Sequence, residues 1–273
     1  MREINILKDE LSRQHGELSK LREENRKILE ELKKVEQEKI NAILQQSNAC
    51  RRKADESIWA NVFNNAITDS TWLKTQTFSP GRWALGYAAL YVLYRILNGV
   101  KPNHILELGL GQSTNMITQY VSSNREAEHF VVEHDPAWIS FYKKEYPISK
   151  QTDIVQLEIT FVPYKEAESV RVFSGFKERF AERRFDFILV DAPLGGDMKQ
   201  YARIDILSIL PECLCESFTI LVDDTQRPGE SNTIKEICSL LDTAEIKYKR
   251  RDYSGEKACT VICSTDNAFL CTL

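Results

Sequence analysis

The chain has 273 residues, 42% of them hydrophobic, and a net charge of −4. That length supports one sizeable α/β domain plus an appendage, and the mild negative charge gives no ground to expect a nucleic-acid partner. Seven cysteines occur; none forms Cys-x-x-Cys, so they lack the paired spacing of a zinc site and read as thiols in a reducing compartment.

The amino-terminal stretch is charged from Arg2 onward, unlike a secretory signal, and the expected location is cytoplasmic. Residues 4–42 carry a heptad repeat. With Ile4 at position a, the a series is Ile4, Leu11, Leu18, Asn25, Leu32 and Lys39, and the d series is Leu7, Gln14, Leu21, Ile28, Val35 and Ala42. This 3.5-residue period predicts a coiled-coil helix. Asn25 at an a position favours two parallel strands, because paired asparagines hydrogen-bond across the seam. The flanks agree: Glu3 would meet Lys8 of the partner and Glu17 would meet Arg22, whereas Glu31 opposite Glu36 weakens the distal end. Gly16 costs roughly 1 kcal/mol of helix propensity. The arm, residues 1–45, is expected to self-associate; a solvated single helix is the plain alternative.

From Gln45 to Gly81 the pattern turns irregular, with Trp59, Phe63, Trp72 and Phe78 ahead of a Ser79-Pro80-Gly81 turn. Residues 46–100 are expected to form a helical cover. The apolar run Trp83–Val100 contains Arg95 and Asn98 and falls short of the ~20 apolar residues a membrane span needs. It reads as a helix buried on a sheet.

Residues 101–273 then alternate strands and helices. His104–Leu108 runs apolar through Glu107 into Gly109-Leu-Gly111-Gln112-Ser113-Thr114. Such a strand–turn–helix unit brings a ligand against bare backbone, with amide N–H groups at the helix start. A dinucleotide fingerprint would place a third glycine where Thr114 stands. His129–Glu133 is the second strand, and Glu133 falls 22 residues past Gly111, where an acid accepts ribose hydroxyls in nucleoside-binding folds. Further strands are expected at Ile154–Val162, Phe185–Asp191 and Phe218–Asp224, and a closing hairpin at Ile246–Arg251 and Ala258–Ser264. Helices are expected at Ser113–Val121, Trp138–Tyr146, Phe173–Arg183, Tyr201–Leu210 and Thr233–Leu241. The fold class is therefore α/β: a Rossmann-like, seven-stranded, mainly parallel sheet with helices on both faces, preceded by a long coiled-coil helix. Glu107, Glu133, Asp191 and Asp223-Asp224 stand at successive strand ends, where such sheets bind ligands.

Glu107-x-Gly109-x-Gly111, Glu133, the strand into Asp191 and Val222-Asp-Asp224 stand in the order of the motifs of the class I S-adenosylmethionine-dependent methyltransferases, which residues 101–264 resemble. More narrowly, Leu108-Gly-x-Gly-Gln-Ser-Thr, Val132-Glu-His-Asp-Pro136 and Val222-Asp-Asp-Thr-x-Arg227 look like a bacterial subgroup that often accompanies surface-polysaccharide biosynthesis. The resemblance implies S-adenosylmethionine bound by Glu107, Gly109, Gly111, Gln112, Ser113, Glu133 and Asp191, and a sugar or glycan hydroxyl as acceptor. Two mechanisms fit. In one, Asp191, Asp223 and Asp224 hold Mg²⁺, although Asp223-Asp224 departs from the family's usual acid–amide or Glu-Asp pair. In the other no metal binds, and Asp191 or His134 is the general base. Arg203 and Arg227 either pair with the acids or hold an anionic acceptor. The rival functions are an aminopropyl transferase, suggested by Asp191-Ala-Pro193, and a non-catalytic coiled-coil scaffold for glycan assembly.

Overall fold

The computed structural model describes residues 2–81 and 83–273. It separates into two compact units, residues 1–51 and 52–273. Most of the expected cover, from residue 52 onward, contributes to the second unit's core. Phe63, Ile67, Leu73, Leu85 and Leu90 are buried there with sheet residues Ile105, Phe187 and Leu221.

Residues of the first unit lie in helix α1 (Arg2–Ile67), which continues into the second. The irregular pattern after Gln45 marks the loss of an apolar stripe, not of the helix. Between Gly16 and Pro80 there is no glycine or proline to stop it. Ile4, Leu7, Leu11, Leu18, Leu21, Ile28, Leu32 and Val35 are all exposed along it.

In the second unit, α2 (Tyr87–Arg95) is followed by β1 (His104–Leu108), α3 (Gln112–Ser123), β2 (Glu128–Glu133), α4 (Pro136–Glu145) and β3 (Thr152–Gln156). Then come β4 (Ile159–Tyr164), β5 (Ala167–Phe173), α5 (Phe176–Phe180), β6 (Phe185–Val190), β7 (Leu214–Asp223), α6 (Pro228–Thr243), β8 (Tyr248–Ser254) and β9 (Ala258–Ser264). Seven strands form one sheet in the order β3-β2-β1-β6-β7-β9-β8. The pairs from β3 to β7 are parallel, and β9 runs antiparallel to both its neighbours. This is the Rossmann-like architecture the alternation predicts.

Both faces are covered. Ile105, Phe187, Leu189 and Leu221 face α2 and α3. Their neighbours Leu106, Ile188, Val190, Ile220 and Val222 face α5 and α6. This period of two within continuous apolar runs is how a sheet buried on both sides reads.

Three expectations fail locally. Ile154–Val162 is not one strand: β3 ends at Gln156, and Leu157-Glu158 leads into β4, which pairs with β5 as a separate two-stranded sheet. Phe173 closes that hairpin, so the helix expected from Phe173 shrinks to Phe176–Phe180. Tyr201–Leu210 is not a helix either, beyond a short 3₁₀ turn at Asp205–Ser208. Arg203 there takes a left-handed backbone, φ 58°, which interrupts any helix.

Candidate active site

Register sets the level of the site. Leu108 pairs with Val132 and Val190, and Val190 pairs with Val222. The next residue on each chain is Gly109, Glu133, Asp191 or Asp223, so all four stand at one rim, the carboxyl edge of the sheet. A cavity of about 680 Å³ opens there, lined by Gly109–Ser113, Glu133, His134, Trp138 and Asp191, among others. A second cavity of about 410 Å³, beneath the β4–β5 hairpin, is lined by none of the expected site residues.

The glycine turn is built for close approach. Gly109 has φ +107°, and a Cβ there would stand 3.1 Å from that of Ala192. At Gly111 an added Cβ would meet no protein atom within 4 Å, so the backbone is open. Thr114 Oγ1 accepts the Gly111 N–H at 2.9 Å and fixes the entry into α3. Trp138 Nε1 donates to Leu110 O at 2.8 Å, and Tyr142 OH donates to Gly111 O at 3.0 Å, so α4 braces the same turn.

Glu107 sits below this floor rather than on the cavity lining. It is 0% exposed, accepts the Ser113 hydroxyl, and its Oε2 lies 3.0 Å from His129 Nε2. It holds Ser113, which does line the cavity. Glu133 is at the rim. Its Oε1 accepts the N–H groups of His134 and Asp135, at 2.6 and 3.0 Å, and lies 2.7 Å from His134 Nδ1. Its Oε2 receives only a long 3.4 Å contact from Leu110 N–H, which leaves acceptor capacity for a diol. His134 is thus tied to the Glu133 side of the cavity. Gln112 bridges Ser79 N–H and Tyr146 OH.

On the other side lies a charge network. Asp191, Asp223 and Asp224 do come together, with oxygens within 4.8 Å of one another. Each is already engaged by a cation. Arg203, 3% exposed, places Nη2 2.9 Å from Asp224 Oδ2 and 3.2 Å from Asp191 Oδ1. Lys257 Nζ lies 2.6 Å from Asp223 Oδ2 and 3.2 Å from Asp224 Oδ1. Arg227 pairs with Asp224 at 2.9 Å and with Glu230 at 3.4 Å. A hard divalent cation needs several free carboxylate oxygens; each acid already gives at least one to Arg203 or Lys257, and Asp223 Oδ1 is left buried without a hydrogen-bond partner, so this donor set, largely neutralised from within, is a poor fit for one. Arg203 is taken up by the acids, whereas Arg227 pairs with them through Nη1 alone and keeps a side chain 31% exposed on the cavity lining.

Asp191 lines the cavity with its side chain 14% exposed. Burial, and then the nearby Asp223 charge, push its carboxyl up to about 8 against the pull of Arg203 and Lys257. Burial likewise raises Asp223. Asp224 is lowered: Arg203, Lys257 and Arg227 together outweigh the burial that opposes them.

Sequence reasoning missed Lys257, Glu230 and Glu56. The Glu56 carboxylate accepts the N–H groups of Tyr87 and Glu256, at 2.7 and 2.8 Å, and so steadies the β8–β9 turn that carries Lys257. The seven cysteines are free thiols, and among the described residues no helix is long and apolar enough to cross a membrane.

No family model matches the chain, and no curated protein does. Solved structures do. An O-methyltransferase from Bacillus cereus in complex with SAH is 12% identical, with 77% of this chain and 91% of that one covered and a TM-score of 0.46. The O-methyltransferase TomG from Streptomyces achromogenes, in complex with SAM, is 13% identical, with 77% and 89% covered and a TM-score of 0.44. A spermidine synthase in complex with a transition-state analogue is 13% identical, with 63% and 60% covered and a TM-score of 0.42. Identities and scores this low do not bear on the reaction.

Proposed function

We propose that the chain is an S-adenosylmethionine-dependent methyltransferase acting on a hydroxyl of a sugar or glycan. One observation carries the reading: the open Gly109–Ser113 backbone, the half-committed Glu133 and the buried Asp191 all face a single cavity. Bound S-adenosylmethionine would supply an electrophilic methyl group on a sulfonium. Glu133 Oε2 would accept the ribose hydroxyls, and the turn above Glu107 and Ser113 would hold the rest of the cofactor on backbone N–H groups. Asp191 takes the proton from the acceptor hydroxyl as that oxygen attacks. His134, bound to Glu133, stays at the cofactor edge rather than serving as the base.

Trp83 supports a sugar as acceptor. It lines the cavity and is 81% exposed, and an indole face suits the apolar side of a pyranose ring. The aminopropyl-transferase reading is less favoured, because the acids that would attract a polyamine are already neutralised by Arg203, Lys257 and Arg227. The exposed heptad stripe of α1 supports self-association as a parallel dimer.

The test is calorimetric titration with S-adenosylmethionine and its demethylated product, with and without Mg²⁺, on wild type and Glu133→Ala. Micromolar binding by the wild type, weakened at least about tenfold in the variant (about 1.4 kcal/mol), is the expected outcome. An absence of binding under every condition rejects the methyltransferase and moves the weight to the scaffold.

A further inference from the structure

The carboxylates after β6 and β7 are grouped as a divalent cation would want them, yet two side chains fill the space between them. The Lys257 ammonium has three N–H donors. Three acceptors surround it: Asp223 Oδ2 at 2.6 Å, Asp224 Oδ1 at 3.2 Å and Ala84 O at 3.0 Å. Two of its N–H groups are hydrogen-bonded, to Asp223 and to Ala84 O, and the ion pair with Asp224 adds a third contact, so Lys257 is held in place. Arg203 is equally committed. Besides its two carboxylate contacts it donates through Nη1 to Asp223 O at 3.0 Å and through Nε to Pro193 O at 3.4 Å. The two cations sit on either side of Asp224, and each also reaches a second member of the trio.

Lys257 reaches this point by construction. In the β7–β9 pair Asp223 stands opposite Cys259, which places Lys257 two residues beyond the register partner of the first acid. Glu56 binds the backbone on both sides, at Tyr87 and Glu256, and so fixes Lys257 together with the segment that carries Ala84. The side chain is 11% exposed, so its charge is spent inside the protein. A buried ammonium with three matched acceptors is a built feature, because an unpaired one would carry a desolvation cost of several kcal/mol.

We propose that Lys257, with Arg203, takes the place of a divalent cation among Asp191, Asp223 and Asp224, so that the site works without a metal. Lys257 is a positioning residue. It neutralises Asp223 and Asp224 and holds them as a fixed wall, while Asp191, held through one oxygen by Arg203, faces the cavity. With no ion to chelate, the acceptor needs to present one hydroxyl rather than a pair of neighbouring oxygens. This last consequence rests on the methyltransferase reading; the replacement of the ion does not.

The experiment is Mn²⁺ uptake by the full-length chain, read from the amplitude of the free-ion electron paramagnetic resonance signal at equimolar ion and protein. Wild type should leave the signal undiminished. Lys257→Met vacates the space between three carboxylates and should take up one ion per chain. The double variant Lys257→Met/Asp224→Asn should lose that uptake. Thermal melting gives a second reading: Mn²⁺ should raise the melting temperature of Lys257→Met and leave that of wild type unchanged. Stoichiometric uptake by wild type, abolished in Asp223→Asn, would overturn the proposal. So would a folded Lys257→Met that ignores the ion. If Lys257→Met does not fold, the wild-type titration alone decides. Binding of S-adenosylmethionine by the wild type is measured separately, so failure of the methyltransferase reading leaves the metal result intact.

Discussion

Asp191 is the residue on which chemistry and stability pull in opposite directions. A carboxyl held at about 8 is mostly protonated at neutral pH, and a general base must be ionised. The rate of methyl transfer should therefore climb as pH rises through about 8. Stability should move the other way. The folded state holds this proton far more tightly than the unfolded chain, whose aspartate titrates near the ordinary ~3.9. That contribution is complete below the unfolded value and is lost as pH rises through the folded one. Asp191→Asn keeps an oxygen for Arg203 but never ionises. We expect it to lower kcat by at least about a hundredfold while leaving cofactor affinity within a factor of about three. Its melting temperature should fall less than that of wild type between pH 7 and 9. A variant with wild-type kcat would remove Asp191 from the role of base.

At the scale of elements, the sheet was legible and its exceptions were not. Strands β1, β2, β6 and β7 announce themselves as apolar runs ending in Gly109, Glu133, Asp191 and Asp223, because a parallel strand buried on both faces is mostly apolar until its end, the buried Glu107–His129 pair across β1 and β2 being an exception. The β8–β9 pair was equally readable. The β4–β5 hairpin was not, since Ile154–Val162 keeps alternating apolar residues with Gln156, Glu158 and Thr160 straight across the break, and the departure at Leu157-Glu158 carries no glycine or proline. Lys257 was invisible for another reason. It lies 34 residues from Asp223 in a Gly-Glu-Lys turn, and only strand register brings the two together. Glu56 likewise acts across 200 residues. It accepts the Tyr87 N–H at the start of α2, where Gly86 offers no side-chain cap, and the N–H of Glu256. Glu56→Ala should strand both donors and cost roughly 1–3 kcal/mol, read as a lower denaturation midpoint at unchanged m-value. Activity should fall as well, through a displaced Lys257. Unchanged stability would mean that water satisfies these donors and that Glu56 is no clamp.

For the whole molecule, the open matter is what the exposed heptads are for. Residues 2–51 are helical and leave Leu11, Leu18, Leu21, Ile28 and Leu32 in water, along one 3.5-residue seam. An exposed stripe of this period suits a partner of matching period. The seam carries its own device of choice in Asn25, which sits well in a parallel pair and poorly in other registers and larger bundles. The candidate site of residues 52–273 is assembled from that unit's own side chains, so association through the seam should set copy number without altering the site. Asn25→Leu separates these roles. It should raise the thermal stability of the helix and broaden the distribution of oligomers beyond the dimer, as seen by light scattering and sedimentation velocity. S-adenosylmethionine affinity should stay within a factor of about two of wild type, since the cavity is lined by residues of the other unit alone. A wild type that is monomeric at micromolar concentration would reject the parallel pair and direct the seam toward another protein's helix. An Asn25→Leu chain that stays strictly dimeric would show that the flanking charges, Glu3 with Lys8 and Glu17 with Arg22, choose the partner by themselves.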